Sequence, residues 1–305
     1  MSMSDIQRLQ MLQSPVGRPR VVLDTDTFNE IDDQFALTHL MLSQDRVDVE
    51  AIYAAPFLNQ RSGDPRKGME LSYSEILRLL ERLHIDPASL VHKGVGEFVG
   101  PEKQARKAEA VDDLISRARA GSSENPLYVI AIAAVSNIAS AILAAPDIVD
   151  KMVVVWLGAH ALNWPDIREF NLRQDVGAAQ ILFDSGVPLI LVPCQGVTTH
   201  LVSTVPEIER YVEPKGEIGR FLAQRFKEYS DDHLGWSKPI WDMAATAWIL
   251  DESWVPSNLT STPIITDNMT WSRDDSRPLM RYVHSVNRDK ILKDFFHKLE
   301  AFAQE

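Results

Sequence analysis

Short, continuously apolar segments alternate with helical segments over the first two thirds of the chain. Residues 21–23, 152–157 and 188–192 are three such apolar segments, and the stretches between them show the 3.6-residue periodicity of helices. Strands that are apolar on both faces are typical of a parallel sheet that helices cover on each side. The alternation therefore predicts an α/β fold with an open, mostly parallel central sheet and helices on both faces.

The pattern changes in the C-terminal third of the chain. Residues 263–265 and 280–286 are short apolar runs outside the alternation, and residues 289–302 show helical periodicity. We expect the two short runs to form a small antiparallel addition near the C-terminus. Because neither an internal repeat nor a low-complexity linker interrupts the pattern, we interpret residues 1–19 as an N-terminal extension and residues 20–305 as a single domain.

Composition limits the possible partners and the location of the protein. Asp and Glu total 43 against 31 Lys and Arg, a net charge of −12, which disfavours nucleic acid as a partner and suits a small neutral or cationic ligand or a bound cation. Residues 1–20 lack the apolar segment of a signal peptide, and no run approaches the length of a membrane span. We therefore expect a cytoplasmic protein without a membrane partner.

The single cysteine, Cys194, follows a predicted strand. One cysteine allows neither a disulfide within the chain nor a metal site made of several thiolates. We interpret Cys194 as a buried apolar side chain.

Five acidic residues lie within ten positions, between the first predicted strand and the helix that follows it. They are Asp24, Asp26, Glu30, Asp32 and Asp33. Carboxylates this close together repel and raise one another's pKa, so a compensating charge is needed. A hard divalent cation such as calcium or magnesium suits an oxygen-rich site of this kind. The alternative is a helix N-cap surrounded by solvated acids, but capping uses a single acid.

Other candidate site residues follow from the predicted topology. In open α/β sheets, ligands bind outside the carboxyl ends of the strands. The residues that come directly after the predicted strands are therefore the first to consider. Besides Asp24 and Asp26, they lie in residues 56–59, 132–137, 158–171 and 194–198.

The acid cluster and several later segments resemble the inosine-uridine nucleoside hydrolase family. Asp-x-Asp after a strand and Asp-Asp at a helix start resemble the family's N-terminal signature. Similar segments follow in the family's order: Val135-Ser136-Asn137-Ile138-Ala139, residues 153–158, Glu169-Phe170-Asn171 with Asp175 and Ala178-Ala179, residues 185–189, and Trp241-Asp242. The resemblance extends from about residue 20 to the C-terminus. It implies a nucleoside hydrolase-like fold, hydrolysis of N-ribosides and a dimer or tetramer.

The resemblance also implies a calcium site. Asp26, Asp33 and Asp242 would be ligands together with the backbone carbonyl of Ile132, a set of hard oxygen atoms that fits calcium. Calcium would hold a water molecule and lower its pKa, and Asp26 would take the proton of that water as the general base. The carboxylates would also stabilise the positive charge that develops on the sugar as the glycosidic bond breaks.

The same motifs imply the residues that bind the sugar. Asp32 would bind a ribose hydroxyl, and Asn163, Glu169 and Asn171 would bind the other hydroxyls. Asn59 is a further candidate ligand, in a loop that is longer than is usual in the family. Without the motif, a surface turn would be the simpler interpretation of Glu169 and Asn171.

The acid loop departs from the family's pattern. Five residues separate Asp26 from Asp32, where the family usually has three that include a glycine. The longer loop would bulge and bring Phe28, Asn29 or Glu30 towards the sugar pocket.

A second departure concerns the leaving base. Trp241 stands where members that prefer inosine and uridine have a histidine that protonates the base. Tryptophan can stack on a purine, as in the purine-preferring branch, and stacking contributes about 1–3 kcal/mol per base. Alternatively, Trp241 packs in the core with Trp248. His233 is a candidate replacement acid, and its alternative is a purely structural role. The sequence therefore favours purine ribosides as substrates.

Two other hypotheses stay open. Residues 21–27 fit the apolar-Asp-x-Asp-x-Thr pattern of haloacid dehalogenase-like phosphatases, with Asp24 as nucleophile and Asp26 as acid and base. That family also needs a late Ser or Thr, a Lys and an acidic magnesium pair, for which the sequence offers no convincing set. The other hypothesis is a non-catalytic or altered-specificity protein that binds a sugar or riboside on the same scaffold.

Overall fold

The fold is built on an eight-stranded, mostly parallel sheet, in a computed structural model that describes residues 3–304. The strands in chain order are β1 (Arg20–Thr25), β2 (Asp48–Ala54), β3 (Val91–Lys93), β4 (Leu127–Ala131), β5 (Met152–Leu157), β6 (Leu189–Val192), β7 (Val202–Ser203), β8 (Lys238–Pro239), β9 (Ser257–Ser261), β10 (Ile264–Ile265), β11 (Trp271–Ser272) and β12 (Leu279–Val283). The sheet order is β3-β2-β1-β4-β5-β6-β12-β9. All its neighbours pair in parallel except β12 and β9. The predicted fold class is confirmed.

Helices cover both faces of this sheet. In chain order they are α1 (Asp5–Met11), α2 (Ile31–Met41), α3 (Pro65–Arg82), α4 (Glu109–Arg119), α5 (Ser136–Ala144), α6 (Phe170–Gln174), α7 (Val176–Asp184), α8 (Val205–Tyr211), α9 (Gly216–Lys227), α10 (Met243–Leu250) and α11 (Arg288–Phe302). Short 3₁₀ turns form at Pro146–Ile148 and Glu252–Trp254, and a helical turn forms at Cys194–Thr198. No helix in the described part of the chain is both long enough and apolar enough to cross a lipid bilayer.

Each face of the sheet has its own apolar core. On β1, Val21 and Leu23 pack into the core with α2, α3, α9, α10 and α11, whereas Val22 packs into the core with α4, α5 and α7. Side chains alternate between the faces of a strand, so a strand buried on both sides must be apolar at consecutive positions. The two cores explain why the strand segments are continuously apolar in the sequence.

The C-terminal addition differs from its predicted pairing. The apolar runs 263–265 and 280–286 do not pair with each other. β10 forms a two-stranded antiparallel ribbon with β11, and β12 extends the main sheet between β6 and β9. An apolar run indicates a strand but carries no information about its partner, which long-range packing selects.

The predicted N-terminal extension contains a helix that packs on the domain. Met11 and Leu12 are buried in the core on the α2 face, and the Arg8 guanidinium donates a hydrogen bond to the Gly186 carbonyl at 2.5 Å. The segment before β1 therefore contributes to the same core as the sheet.

Asp175 joins several chain segments beside the sheet. Its buried carboxylate accepts hydrogen bonds from Val99 N at 2.7 Å, Gly100 N at 3.0 Å and the Ser136 hydroxyl at 2.7 Å. It also caps α7 by accepting a bond from Ala178 N at 3.1 Å. The aspartate of the motif thus has a structural role in holding the loop after β3 against α5 and α7.

We expect Asp175→Ala to lower the free energy of unfolding by about 3 kcal/mol, because it leaves buried donors without an acceptor. Urea denaturation followed by tryptophan fluorescence measures the change. Asp184→Ala is the matched control: Asp184 is a half-exposed aspartate that pairs with Arg277, and its removal should change the stability by less than about 1 kcal/mol. Equal effects of the two substitutions would contradict the structural role of Asp175.

Candidate active site

A cavity of about 270 Å³ opens at the carboxyl ends of the central strands. Asp26 follows β1, Ile132 follows β4, Leu157 ends β5, and Cys194 follows β6. Because β1, β4, β5 and β6 are consecutive neighbours in the sheet, their ends form one continuous floor. The cavity therefore lies where an open α/β sheet is expected to bind its ligand.

Four buried aspartates form one wall of this cavity. Asp26 starts the turn after β1, in which Asn29 N donates to the Asp26 carbonyl at 2.7 Å, and Asp32 and Asp33 lie in the first turn of α2. Asp242 immediately precedes α10. Carboxylate oxygens of Asp32, Asp33 and Asp242 all lie within 4.8 Å of one another. The fold thus brings acids that are distant in the chain to one point.

Burial and repulsion raise the pKa of these carboxyls. Burial raises the pKa of Asp26 well above its usual range, and the Asp33, Asp32 and Glu30 charges raise it further. The pKa values of Asp33 and Asp242 are raised in the same way, although the Thr25 hydroxyl donates to Asp33 at 2.5 Å. Burial raises the pKa of Asp32 to about 7 against the opposing effect of Lys238. Lys238 therefore compensates only part of the negative charge of the cluster.

The carboxylate oxygens of these aspartates are suitable ligands for a hard cation. Asp26 Oδ2 and Asp32 Oδ1 are buried and have no hydrogen-bond partner among residues 3–304. Unpaired carboxylate oxygens in a buried, crowded site are the ligands that divalent cations such as calcium prefer. Asp32, Asp33 and Asp242 are the residues whose carboxylate oxygens come close enough together to share one ion. Asp26 lies beside Asp33 and lines the same cavity. These carboxylates can hold a metal ion.

Asp24 has a different environment from its neighbours. It is fully buried and is not among the residues that line the cavity. Its Oδ1 accepts a hydrogen bond from the Asn137 amide at 2.7 Å, and Asn137 Oδ1 in turn accepts one from Val95 N at 2.8 Å. Burial raises the pKa of Asp24 to about 7. A nucleophile must face its substrate, so this position does not support the phosphatase hypothesis.

Glu169 and Asn171 also line the cavity, at the N-cap and in the first turn of α6. The Glu169 carboxylate caps that helix by accepting from Asn171 N at 2.8 Å and Leu172 N at 3.0 Å, and it accepts a third bond from Ala159 N at 2.9 Å. Burial nevertheless raises the pKa of Glu169 to about 7. The Asn171 amide donates to the Leu157 carbonyl at 3.1 Å. The motif is therefore a wall of the cavity and not a surface turn.

Three sequence-predicted ligands lie outside the cavity. Asn163 is exposed, and Asn59 faces the acid loop, where its amide donates to Asn29 Oδ1 at 2.9 Å. The Nε2 atom of His233 lies 3.0 Å from the Lys227 carbonyl, and its ring packs against Trp236. None of the three is among the cavity-lining residues. The structure therefore gives no contact to support their predicted roles.

The longer acid loop does reach the cavity. Asn29 and Glu30 line it, whereas Phe28 points towards the Arg61 guanidinium, which lies 4.5 Å from the Phe28 ring centre. Trp241 also lines the cavity and is half-buried against the core, whereas Trp248 is wholly buried. One part of Trp241 thus packs against the core and another part lines the cavity.

Several lining residues were not predicted individually. They are Leu157, His160, Arg168, Phe170, Arg173 and Gln195. Gln195 N donates to His160 Nδ1 at 3.3 Å, and burial lowers the pKa of His160. All six lie at the end of β5 or in the stretches after β5 and β6, so strand-end position was the main sequence signal for them, and Leu157 and Phe170 also stand in segments that resemble the family. Cys194 is buried as expected, and it also lines the cavity.

Fold and cavity place the chain among α/β proteins that bind a small ligand at the carboxyl edge of parallel strands. The family model described as inosine-uridine preferring nucleoside hydrolase matches residues 68–293. The match covers well over half of the chain, so the chain belongs to this family. The match begins after the acid loop and does not include it.

Individual relatives agree with this assignment. The pyrimidine-specific ribonucleoside hydrolase RihA of Salmonella paratyphi B is 29% identical over 136 residues, and RihA of Escherichia coli is 31% identical over 136 residues. Each match covers 42% of this chain and only 43% of the relative. The chain thus matches less than half the length of these curated relatives.

Solved structures share the whole fold. The purine-preferring ribonucleoside hydrolase from Gardnerella vaginalis has a TM-score of 0.72 at 22% identity, and an inosine-guanosine nucleoside hydrolase has a TM-score of 0.72 at 17% identity. Each alignment covers 93% of this chain and 99% of the other. The effector protein XOO4466 has a TM-score of 0.66 at 14% identity and covers 98% of this chain and 97% of that protein. At these identities the likeness shows the fold alone.

We expect Asp242→Asn to stabilise the metal-free protein, and more so at pH 8 than at pH 5. A carboxyl whose pKa is higher in the folded chain than in the unfolded chain destabilises the fold increasingly as pH rises through the interval between the two values. Thermal unfolding in the presence of a chelator measures this. Asp289→Asn, at a surface position, is the control. A lower melting temperature for Asp242→Asn than for the wild type at pH 8 would contradict the prediction. It would mean that the contacts of Asp242 stabilise the metal-free fold by more than the repulsion within the cluster destabilises it.

Proposed function

We propose that the protein hydrolyses the N-glycosidic bond of ribonucleosides with a calcium-activated water, and that it prefers purine ribosides. The observation that carries the proposal is the convergence of Asp26, Asp32, Asp33 and Asp242 on one side of a cavity large enough for a sugar. Family membership supports the reaction class. The acids support the metal, and Trp241 supports the base preference.

The metal ligands in this proposal are Asp26, Asp33, Asp242 and the carbonyl of Ile132. When bound there, calcium would hold a water molecule and lower its pKa. Asp26 is the general base, and it accepts the proton of the attacking water at Oδ2, the oxygen that has no other partner in the described part of the chain. Ile132 supports this arrangement because it lines the cavity and its amide is fixed by the Asp24 carbonyl at 2.9 Å.

The sugar occupies this cavity. Asp32 accepts a hydrogen bond from a ribose hydroxyl at Oδ1, which has no partner among residues 3–304, and Glu169 and Asn171, which line the same cavity, bind other hydroxyls. Glycosidic cleavage develops positive charge on the sugar ring. The carboxylates that surround the ring stabilise that charge in a site from which water is partly excluded.

We expect Asp26→Asn to lower kcat for base release by about 10²- to 10⁴-fold, because the general base is lost. Chromatographic detection of the free base from inosine, together with a reducing-sugar assay, measures the change. A calcium chelator should abolish the wild-type activity, and added calcium should restore it. Asp231→Asn, at an exposed loop position, should retain full activity.

Two results would contradict this mechanism. Wild-type rates in Asp26→Asn would remove the general base from the proposal. Calorimetric binding of ribose or a nucleoside by the wild type, with no base released at high enzyme concentration, would instead favour the non-catalytic sugar-binding alternative.

We expect Trp241→Ala to reduce kcat/KM for inosine about 5- to 150-fold, and for uridine by a smaller factor, since stacking contributes about 1–3 kcal/mol per base and is strongest for purines. Steady-state kinetics on the two nucleosides measure the ratio. Equal losses on inosine and uridine would assign Trp241 to packing alone.

A further inference from the structure

Glu30 is one of the residues of the acid loop that line the cavity. It occupies the N-cap position of α2, but its side chain makes no capping hydrogen bond. Instead, Oε1 accepts a bond from the Tyr229 hydroxyl at 2.8 Å, and Oε2 accepts one from the Lys238 ammonium at 2.6 Å. The carboxylate lines the cavity and its side chain is 30% exposed. Glu30 is therefore directed away from its own helix and held at the cavity.

Lys238 connects Glu30 to Trp241. Its side chain is only 6% exposed, and its ammonium lies 4.4 Å from the Trp241 ring centre and 4.5 Å from the Tyr229 ring centre. A nearly buried ammonium that contacts two aromatic rings and a carboxylate is held tightly by all three groups. Glu30 and the Trp241 ring consequently keep a constant relative position on one side of the cavity.

The acid loop itself is also anchored from outside. Arg61 donates to the Asn29 carbonyl at 2.8 Å, and Asn59 donates to the Asn29 side chain at 2.9 Å. A recognition group on a loop needs this kind of support, because ordering the loop on binding would otherwise cost affinity.

We propose that Glu30 is a specificity-determining residue that accepts hydrogen bonds from N–H groups on the edge of a purine stacked on Trp241. The inference rests on the proposed function, and it names the preferred substrate class: purine ribosides whose base carries two adjacent N–H donors, as guanine does. An ionised carboxylate is acceptor-only and has about four lone-pair sites. Tyr229 and Lys238 use one site on each oxygen, and the remaining sites match a pair of donors.

The pairing with Lys238 limits the charge that Glu30 adds near the acid cluster. The Lys238 ammonium lies 2.6 Å from Glu30 Oε2 and offsets part of its charge, although Glu30 still raises the pKa values of the clustered aspartates. If the base edge carries only acceptors, its lone pairs repel the carboxylate of Glu30. The carboxylate then loses solvating water without gaining a hydrogen bond. The Glu30–Lys238 pair therefore favours bases with N–H donors and disfavours bases that carry only acceptors on that edge.

The test compares guanosine, inosine and purine riboside, whose bases offer two, one and no N–H donors on the six-membered-ring edge. For the calcium-loaded wild type we expect kcat/KM to fall in that order. Glu30→Gln replaces one acceptor by a donor, so the ratio of guanosine to purine riboside should fall at least about 10-fold, as expected for loss of a hydrogen bond to a charged group. Glu228→Gln, at an exposed carboxylate that pairs with Arg225 on α9, should leave that ratio at the wild-type value.

Equal losses on all three substrates in Glu30→Gln, or an unchanged ratio, would overturn the inference and assign Glu30 to holding the loop. If the wild type releases no base from any of the three, the proposed hydrolysis fails. The inference is then decided by calorimetric binding of guanosine and purine riboside to the wild type and Glu30→Gln. A guanosine preference that the substitution removes supports it, and identical affinities in both proteins overturn it.

Discussion

Repulsion among buried carboxylates is the interaction on which the rest of the site depends. Asp26, Asp32, Asp33 and Asp242 are each at most 3% exposed, and their proximity and burial raise their pKa values. Such an arrangement is stable in the ionised form only where positive charge is supplied. Lys238 supplies part of that charge for Asp32, and a bound cation is the natural source of the rest.

Rigid polar contacts hold the cavity open around this unfavourable cluster. Asn137 fixes Asp24 under the acid loop, Asp175 joins α7 to the loop after β3, and Glu169 accepts three backbone hydrogen bonds at the start of α6. Each is a residue of the motifs that resemble the nucleoside hydrolases. Part of that resemblance therefore reflects hydrogen bonds that fix the loops at the strand ends, where Asn171 and the four aspartates line one cavity.

Glu30 and Trp241 line the same cavity, and Lys238 contacts both of them. Glu30 belongs to the acid loop and Trp241 directly precedes Asp242, so Lys238 links two segments that are distant in the chain. The family match covers residues 68–293 and does not include the loop. In the proposed function, the acid cluster acts on the sugar and this second group, Glu30 with Trp241, contacts the base, so changes in the second group alone would alter the specificity of the scaffold.

The sequence by itself determined the parallel sheet, because segments apolar on both faces need helices on each side. It also placed Asp26, Asp32 and Asp33 together, since they lie within one short loop and one helical turn. Asp242 could be assigned only through the family resemblance. The tertiary structure decided the rest. It paired β12 with β6, and it placed Glu30 against Lys238, 208 residues away in the chain. It also left three predicted ligands outside the cavity, namely Asn59, Asn163 and His233. Periodicity reports which face of a segment is buried, whereas the partner of a strand or a loop side chain depends on how distant segments pack.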